Sequence, residues 1–184
     1  DTTMIVGVGG VGINAVQGAH HAGSAYVVAV DPVEFKREQA LKLGATHAFA
    51  SIAEAMPFIG SKTNGQGADS AVVTVGVVDG QLIADAFAGV RKEGTVAVVS
   101  IGQNDPGIPI SPLELVVYAK HLRGVLFGNM NPTRDIPALL NYYKAGRLKL
   151  DELITRRYTI DQVNEAYADM HAGLNLRGVL VHEH

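Results

Sequence analysis

Ten residues near the start, Thr3-Met4-Ile5-Val6-Gly7-Val8-Gly9-Gly10-Val11-Gly12, constrain the fold more than any other part of the chain. An apolar run ends in a cluster of glycines, and a helix-compatible stretch follows. Nineteen residues beyond Gly12, a second apolar run, Tyr26-Val27-Val28-Ala29-Val30, ends at Asp31. Two short apolar strands joined through a helix must lie parallel, and a parallel pair needs a crossover of this length.

Each glycine has a physical reason. Gly7 allows the tight turn out of the strand, Gly9 carries no Cβ and so lets a phosphate approach the backbone, and Gly12 lets the helix lie close to the sheet. N–H groups from about Gly10 onward point out of the helix N-terminus, where the helix dipole favours negative charge. Strand, glycine turn, helix, strand and terminal acid together form a dinucleotide-binding fingerprint. Asp31 would accept hydrogen bonds from the adenosine ribose and repel a 2′-phosphate, which favours NAD over NADP. The same residues also fit a purely structural βαβ turn, with Asp31 capping the next helix.

The rest of the chain repeats the alternation. Strands are expected at 4–8, 26–30, 47–50, 70–75, 95–99 and 122–127, and helices at 14–22, 34–43, 52–63, 80–90 and 113–119. The helix at 52–63 contains Pro57, so its regular part is expected to begin or kink there. Lys92-Glu93-Gly94 reads as a turn and residues 103–109 as a loop. Short strands with few interior charges demand a sheet covered on both faces, in keeping with 47% hydrophobic and 18% charged residues. The expected fold is α/β, a doubly wound parallel six-stranded sheet of order 3-2-1-4-5-6, with the ligand where that order reverses. After Phe127 the pattern changes: an amphipathic segment at 135–145, a capping box at Thr159-Ile160-Asp161-Gln162 opening a helix to His171, and an apolar segment at 177–181. We read this as a C-terminal α/β appendage that completes no parallel-sheet unit, dividing the chain into 1–127 and 128–184.

A net charge of −3 gives no reason to expect nucleic acid or a membrane as partner, and no apolar stretch reaches spanning length. No signal peptide opens the chain, so a cytoplasmic location is expected. Cysteine is absent, which excludes disulfides and cysteine-ligated metal within these residues. The abrupt entry into the first strand reads as a piece of something longer. His20-His21, His182 and His184 read as surface or tail residues rather than a ligand cluster.

Taken in order, the segments resemble the medium-chain, zinc-dependent alcohol dehydrogenases. Gly7-Val8-Gly9-Gly10-Val11-Gly12 is similar to that family's GxGGxG, and Val30-Asp31, Lys36 and Leu43-Gly44-Ala45-Thr46 are similar to its VD…K…GAT segment. Asn64-Gly65-Gln66-Gly67-Ala68-Asp69, Gly124-Val125-Leu126-Phe127-Gly128, Lys149-Leu150-Asp151-Glu152-Leu153-Ile154-Thr155 and Arg177-Gly178-Val179-Leu180 extend the resemblance over essentially the whole chain. Asp31-Pro32-Val33 and Leu174-Asn175-Leu176-Arg177-Gly178 resemble the bacterial branch that holds NAD tightly and uses a nitrosoaniline dye as acceptor.

The resemblance implies roles at matching positions. Lys36 would reach the ribose beside Asp31, Arg177 would meet the pyrophosphate, and Val11 would pack behind the nicotinamide. Val75, Ile101 and Phe127 would supply wall and backbone near its carboxamide. A two-fold homodimer would join strands running from Leu122 to Phe127. Zinc, which in this family polarises the alcohol oxygen so that a hydride can leave for NAD, would belong to the full-length protein only, held by a half that is not among these residues. Other readings are a stand-alone, non-catalytic NAD-binding or redox-sensing module, and a zinc-free relative of the quinone-reductase kind. Asp31 argues against the latter, since those relatives more often use NADP.

Overall fold

The computed structural model describes residues 1–102 and 107–182. The expected loop at 103–109 therefore falls largely outside the described residues, as does His184. The chain divides into two compact units, Asp1–Asn129 and Met130–His184.

In the first unit, β1 (Thr2–Val6), β2 (Tyr26–Val30), β3 (His47–Phe49), β4 (Ala68–Val73), β5 (Val90–Val98) and β6 (His121–Gly124) form one sheet of order β3-β2-β1-β4-β5-β6. Every neighbouring pair is parallel. The helices between them are α1 (Gly12–His21), α2 (Glu34–Lys42), α3 (Ile52–Lys62), α4 (Gly80–Gly89) and α5 (Pro112–Val116). The strand order reverses after β3, so right-handed crossovers put α1 and α2 on one face and α3 and α4 on the other. Met4, Val28, Val73 and Val96 from the strands meet Ile59 of α3 and Phe87 of α4 in a buried core. That is the doubly wound fold the alternation predicts.

Several boundaries differ from expectation, each for a local reason. β1 ends at Val6 rather than Val8, because Gly7 turns at a φ of +85°. α3 begins at Ile52 and carries Pro57 in its interior; Ser51 caps it by accepting from the Glu54 N–H at 3.2 Å, and that cap, not the proline, sets its start. Lys92-Glu93-Gly94 lies inside β5 as a bulge: Ala68 pairs with Val90 and Ser70 with Thr95, and Glu93 takes a φ of +60°. The strand expected from Leu122 to Phe127 is only His121–Gly124. Successive positive φ values at Phe127, Gly128 and Asn129 carry the chain out of the sheet.

The second unit contains α6 (Pro132–Lys144), β7 (Ile154–Tyr158), α7 (Val163–His171) and β8 (Arg177–Leu180). β7 and β8 pair in parallel, with α7 as their crossover. This corrects the expectation that no parallel-sheet unit is completed here. The two strands are four or five residues long and contain Arg156, Arg157 and Arg177, so they carry less apolar signal than β1 and β2. Thr159 and Gln162 do form a capping box, but it opens a 3-10 turn, Ile160–Gln162, ahead of α7. Among the described residues no helix is long and apolar enough to cross a membrane.

Candidate functional site

The carboxyl ends of β1, β2 and β4 meet where the strand order reverses, and a cleft of about 550 Å³ opens there. Gly7, Gly9, Asp31, Lys36 and Val75 line it, so five of the residues singled out from the sequence come together.

The glycine turn is built by exclusion. A Cβ on Gly12 would stand 1.8 Å from the carbonyl oxygen of Gly7 and 2.5 Å from Thr74 Oγ1. A Cβ on Gly7 would press on Val75, at 2.8 Å from its Cγ1. Gly9 is different: a Cβ there would meet no protein atom within 4 Å. Gly7 and Gly12 are thus required by the protein itself, whereas Gly9 keeps open a space that the protein does not fill. Asn14 Nδ2 donates to the carbonyl of Gly10 at 3.0 Å and steadies the turn from within α1.

α1 then starts without a side-chain cap. Its N-cap residue is Val11, 54% exposed, and no acid stands in its first turn. The Ile13 N–H reaches back to Gly9 O at 2.9 Å. α3, α4 and α5 by contrast are capped by Ser51, Asp79 and Ser111. An uncapped helix start beside a cleft leaves the positive end of the dipole for an anion.

Asp31 immediately follows β2 and is only 5% exposed. Its Oδ2 accepts the Val8 N–H at 3.0 Å and its Oδ1 the Val33 N–H at 2.9 Å. The acid therefore tethers the glycine turn to the end of β2. Each carboxylate oxygen retains a second lone pair. The structural role, bracing the turn, is therefore met by Asp31 through backbone N–H groups on both sides of it.

Ile101 follows the end of β5 and Phe127 follows the end of β6. Both are 80% exposed and neither lines the cleft. Arg177 opens β8 in the second unit, in register with Ile154.

Two residues that sequence reasoning passed over also serve this site. Thr74 lies 2.5 Å from Gly7 O and 3.2 Å from Val6 O, and lines the cleft. A lone hydroxyl closing the apolar run Ala71-Val72-Val73 was the available signal. Arg37 Nη1 donates to the carbonyls of Asp31 at 2.8 Å and Pro32 at 2.9 Å. On a charged helix face nothing in the sequence separates it from its neighbours.

A family model described as zinc-binding dehydrogenase matches residues 10–145. The chain is 50% identical to an NDMA-dependent alcohol dehydrogenase of Amycolatopsis methanolica, over 99% of this chain and 49% of that protein. It is 51% identical to a putative alcohol dehydrogenase D of Mycobacterium tuberculosis, over 99% of this chain and 50% of that protein. Among solved structures, an alcohol dehydrogenase zinc-binding domain protein from Burkholderia ambifaria superposes with a TM-score of 0.88 at 29% identity, covering 99% of this chain and 49% of the other. The chain spans about half the length of the curated relatives it matches. With the family model across most of its length and the fold shared throughout, the chain belongs to the zinc-binding dehydrogenases, the medium-chain, zinc-dependent alcohol dehydrogenase family.

Proposed function

We propose that this chain is the NAD-binding portion of an alcohol dehydrogenase, and that the whole protein transfers hydride between an alcohol or aldehyde and NAD(H). The observation that carries the reading is Gly9: a glycine with no protein neighbour to justify it, beside an uncapped helix start, in the same cleft as Asp31. A diphosphate fits that space, since the backbone can approach it closely and α1 supplies N–H groups and dipole. Asp31 and Lys36 would then hold the adenosine ribose, with Asp31 disfavouring a 2′-phosphate. Val11 would pack behind the nicotinamide. Val75, Ile101 and Phe127, which follow the ends of β4, β5 and β6, would form its surroundings.

Zinc does not fit the residues present. The chain has no cysteine, and among the described residues no group of three or more His, Asp and Glu is placed to hold a metal. The chain's own share of the chemistry is to bind and orient the dinucleotide. The nearness to an NDMA-dependent enzyme supports placing the whole protein in the branch that uses a nitrosoaniline acceptor.

Calorimetric titration of the folded chain with NADH and NADPH tests this. NADH should bind more tightly, and Asp31→Asn should weaken it by about 1.5–3 kcal/mol, the range for a hydrogen bond to a charged group. A folded chain that binds no adenine dinucleotide overturns the proposal.

We also propose a homodimer formed through β6, which is the edge strand next to β5. Its free edge presents backbone donors and acceptors that a second copy would satisfy. Leu113, Val116 and Val117 around α5 expose apolar surface close by in sequence. Sedimentation equilibrium should give twice the chain mass, and a monomer at all concentrations would refute it.

A further inference from the structure

Every polar group of Asp31 is engaged. Its backbone N–H donates to Phe49 O at 3.1 Å, its two carboxylate oxygens accept from Val8 and Val33, and its carbonyl accepts from Arg37. Of these partners only Arg37 is a side chain. A single nitrogen, Nη1, spends both its hydrogens on consecutive carbonyls, those of Asp31 and Pro32. The guanidinium thus fixes both peptide planes at the point where the chain leaves β2. Pro32 cannot support this loop by donating, because it has no N–H.

We infer that Arg37 is a positioning residue for cofactor selection: it holds the loop Asp31-Pro32-Val33 so that the Asp31 carboxylate stays aimed into the cleft. This rests on the reading of Asp31 as the ribose-binding acid. A fixed acid does two things at once. It accepts from the 2′-hydroxyl of NAD, and it stands where a 2′-phosphate would bring like charge. Once the loop is free, the carboxylate can turn away from the Val8 N–H toward solvent, and both effects weaken together.

The sign of the outcome separates this role from plain electrostatics. A cation near the ribose attracts a 2′-phosphate. If Arg37 acted only through its charge, removing it would weaken NADPH more than NADH and sharpen the preference for NADH. If it acts by holding the loop, removing it weakens NADH more than NADPH and blunts that preference. A merely structural role would lower thermal stability and leave the ratio alone.

The experiment is calorimetric titration of the full chain and its Arg37→Ala and Arg37→Lys variants with NADH and with NADPH, each variant checked by circular dichroism and thermal melting. In Arg37→Ala the ratio of NADH to NADPH affinity should fall about tenfold, the equivalent of one good polar contact. Arg37→Lys should lie between, since an ammonium keeps the charge but lacks the planar fork. A ratio that stays at the unsubstituted value or rises in Arg37→Ala overturns the inference while leaving the NAD reading intact. Should Arg37→Ala fail to fold, Arg37→Lys decides by the same criterion. If the unsubstituted chain binds neither nucleotide, the NAD reading falls first, and the role of Arg37 falls with it.

Discussion

Gly12 makes room for Gly7: the missing Cβ of the one would lie 1.8 Å from the carbonyl oxygen of the other, where Thr74 Oγ1 already makes its bond. The contact is with backbone, so no rotamer change relieves it. Gly12→Ala must push α1 away from β1 and break the Thr74 bond. We expect a loss of stability of about 1–3 kcal/mol, as for other overpacked sites, together with weakened NADH binding. Urea unfolding and titration of the same preparation measure both. An unchanged midpoint would mean that α1 shifts freely, contrary to the packing described.

Gly9→Ala should behave in the opposite way. Its Cβ has no protein atom within 4 Å, so the fold should keep its stability to within about 0.5 kcal/mol. The methyl group would occupy the space assigned to the diphosphate, and NADH affinity should drop ten- to about a hundredfold. An alanine variant that binds NADH as before would move the diphosphate away from Gly9.

This contrast shows what a sequence can and cannot disclose. The turn from β1 into α1 was legible because Gly7 and Gly12 answer steric requirements of the turn itself and Asp31 closes the second apolar run. The strand order was legible because apolar runs within β1, β2, β4 and β5 are set between helix-length connections. β7 was not: Thr155-Arg156-Arg157 carry polar side chains, so the apolar segment at 177–181 had no visible strand to pair with. Nor could the chain's letters reveal which side chains would brace the site. Arg37 and Lys36 are adjacent cations on α2, yet Arg37 clasps two carbonyls while Lys36 lines the cleft. That difference follows from the helical step, which turns consecutive side chains of α2 about 100° apart.

At the amino end of the strands, opposite the cleft, Asp69 of β4 should make stability depend on acid. Burial by itself would raise the Asp69 carboxyl. The hydrogen bond from Arg91 at 2.7 Å, the Thr2 N–H at 2.6 Å and the Arg91 charge outweigh that and hold it below the usual carboxylate range. A group whose folded pKa is depressed contributes stability above its unfolded pKa, near 3.9, and loses it as pH falls through the folded value. The melting temperature should therefore fall on acidification below about pH 4, and Asp69→Asn should flatten that part of the profile. An identical acid limb in the variant would show that other carboxylates govern it.

Lys120 offers a last test, of how the edge strand is anchored. It immediately precedes β6 and is only 6% exposed. Its ammonium donates to Phe87 O at 2.9 Å, Ala88 O at 3.3 Å and Glu114 Oε1 at 2.9 Å, and lies 5.3 Å from the centre of the Phe87 ring. Phe87 and Ala88 belong to the last turn of α4, which has no basic residue of its own. One cation therefore closes the end of α4, pairs with α5 and pins the start of β6, where a helix terminus favours positive charge. Lys120→Met keeps the bulk and removes the donors. Glu114 can regain water, but the Phe87 carbonyl is left without its charged partner, so a cost of about 1.5–3 kcal/mol is expected. Urea unfolding should show a lower midpoint with the same slope. If the pin also holds β6 in the dimer, the methionine variant should sediment with more monomer at equal concentration, whereas equal stability and equal association would show that water substitutes for the ammonium.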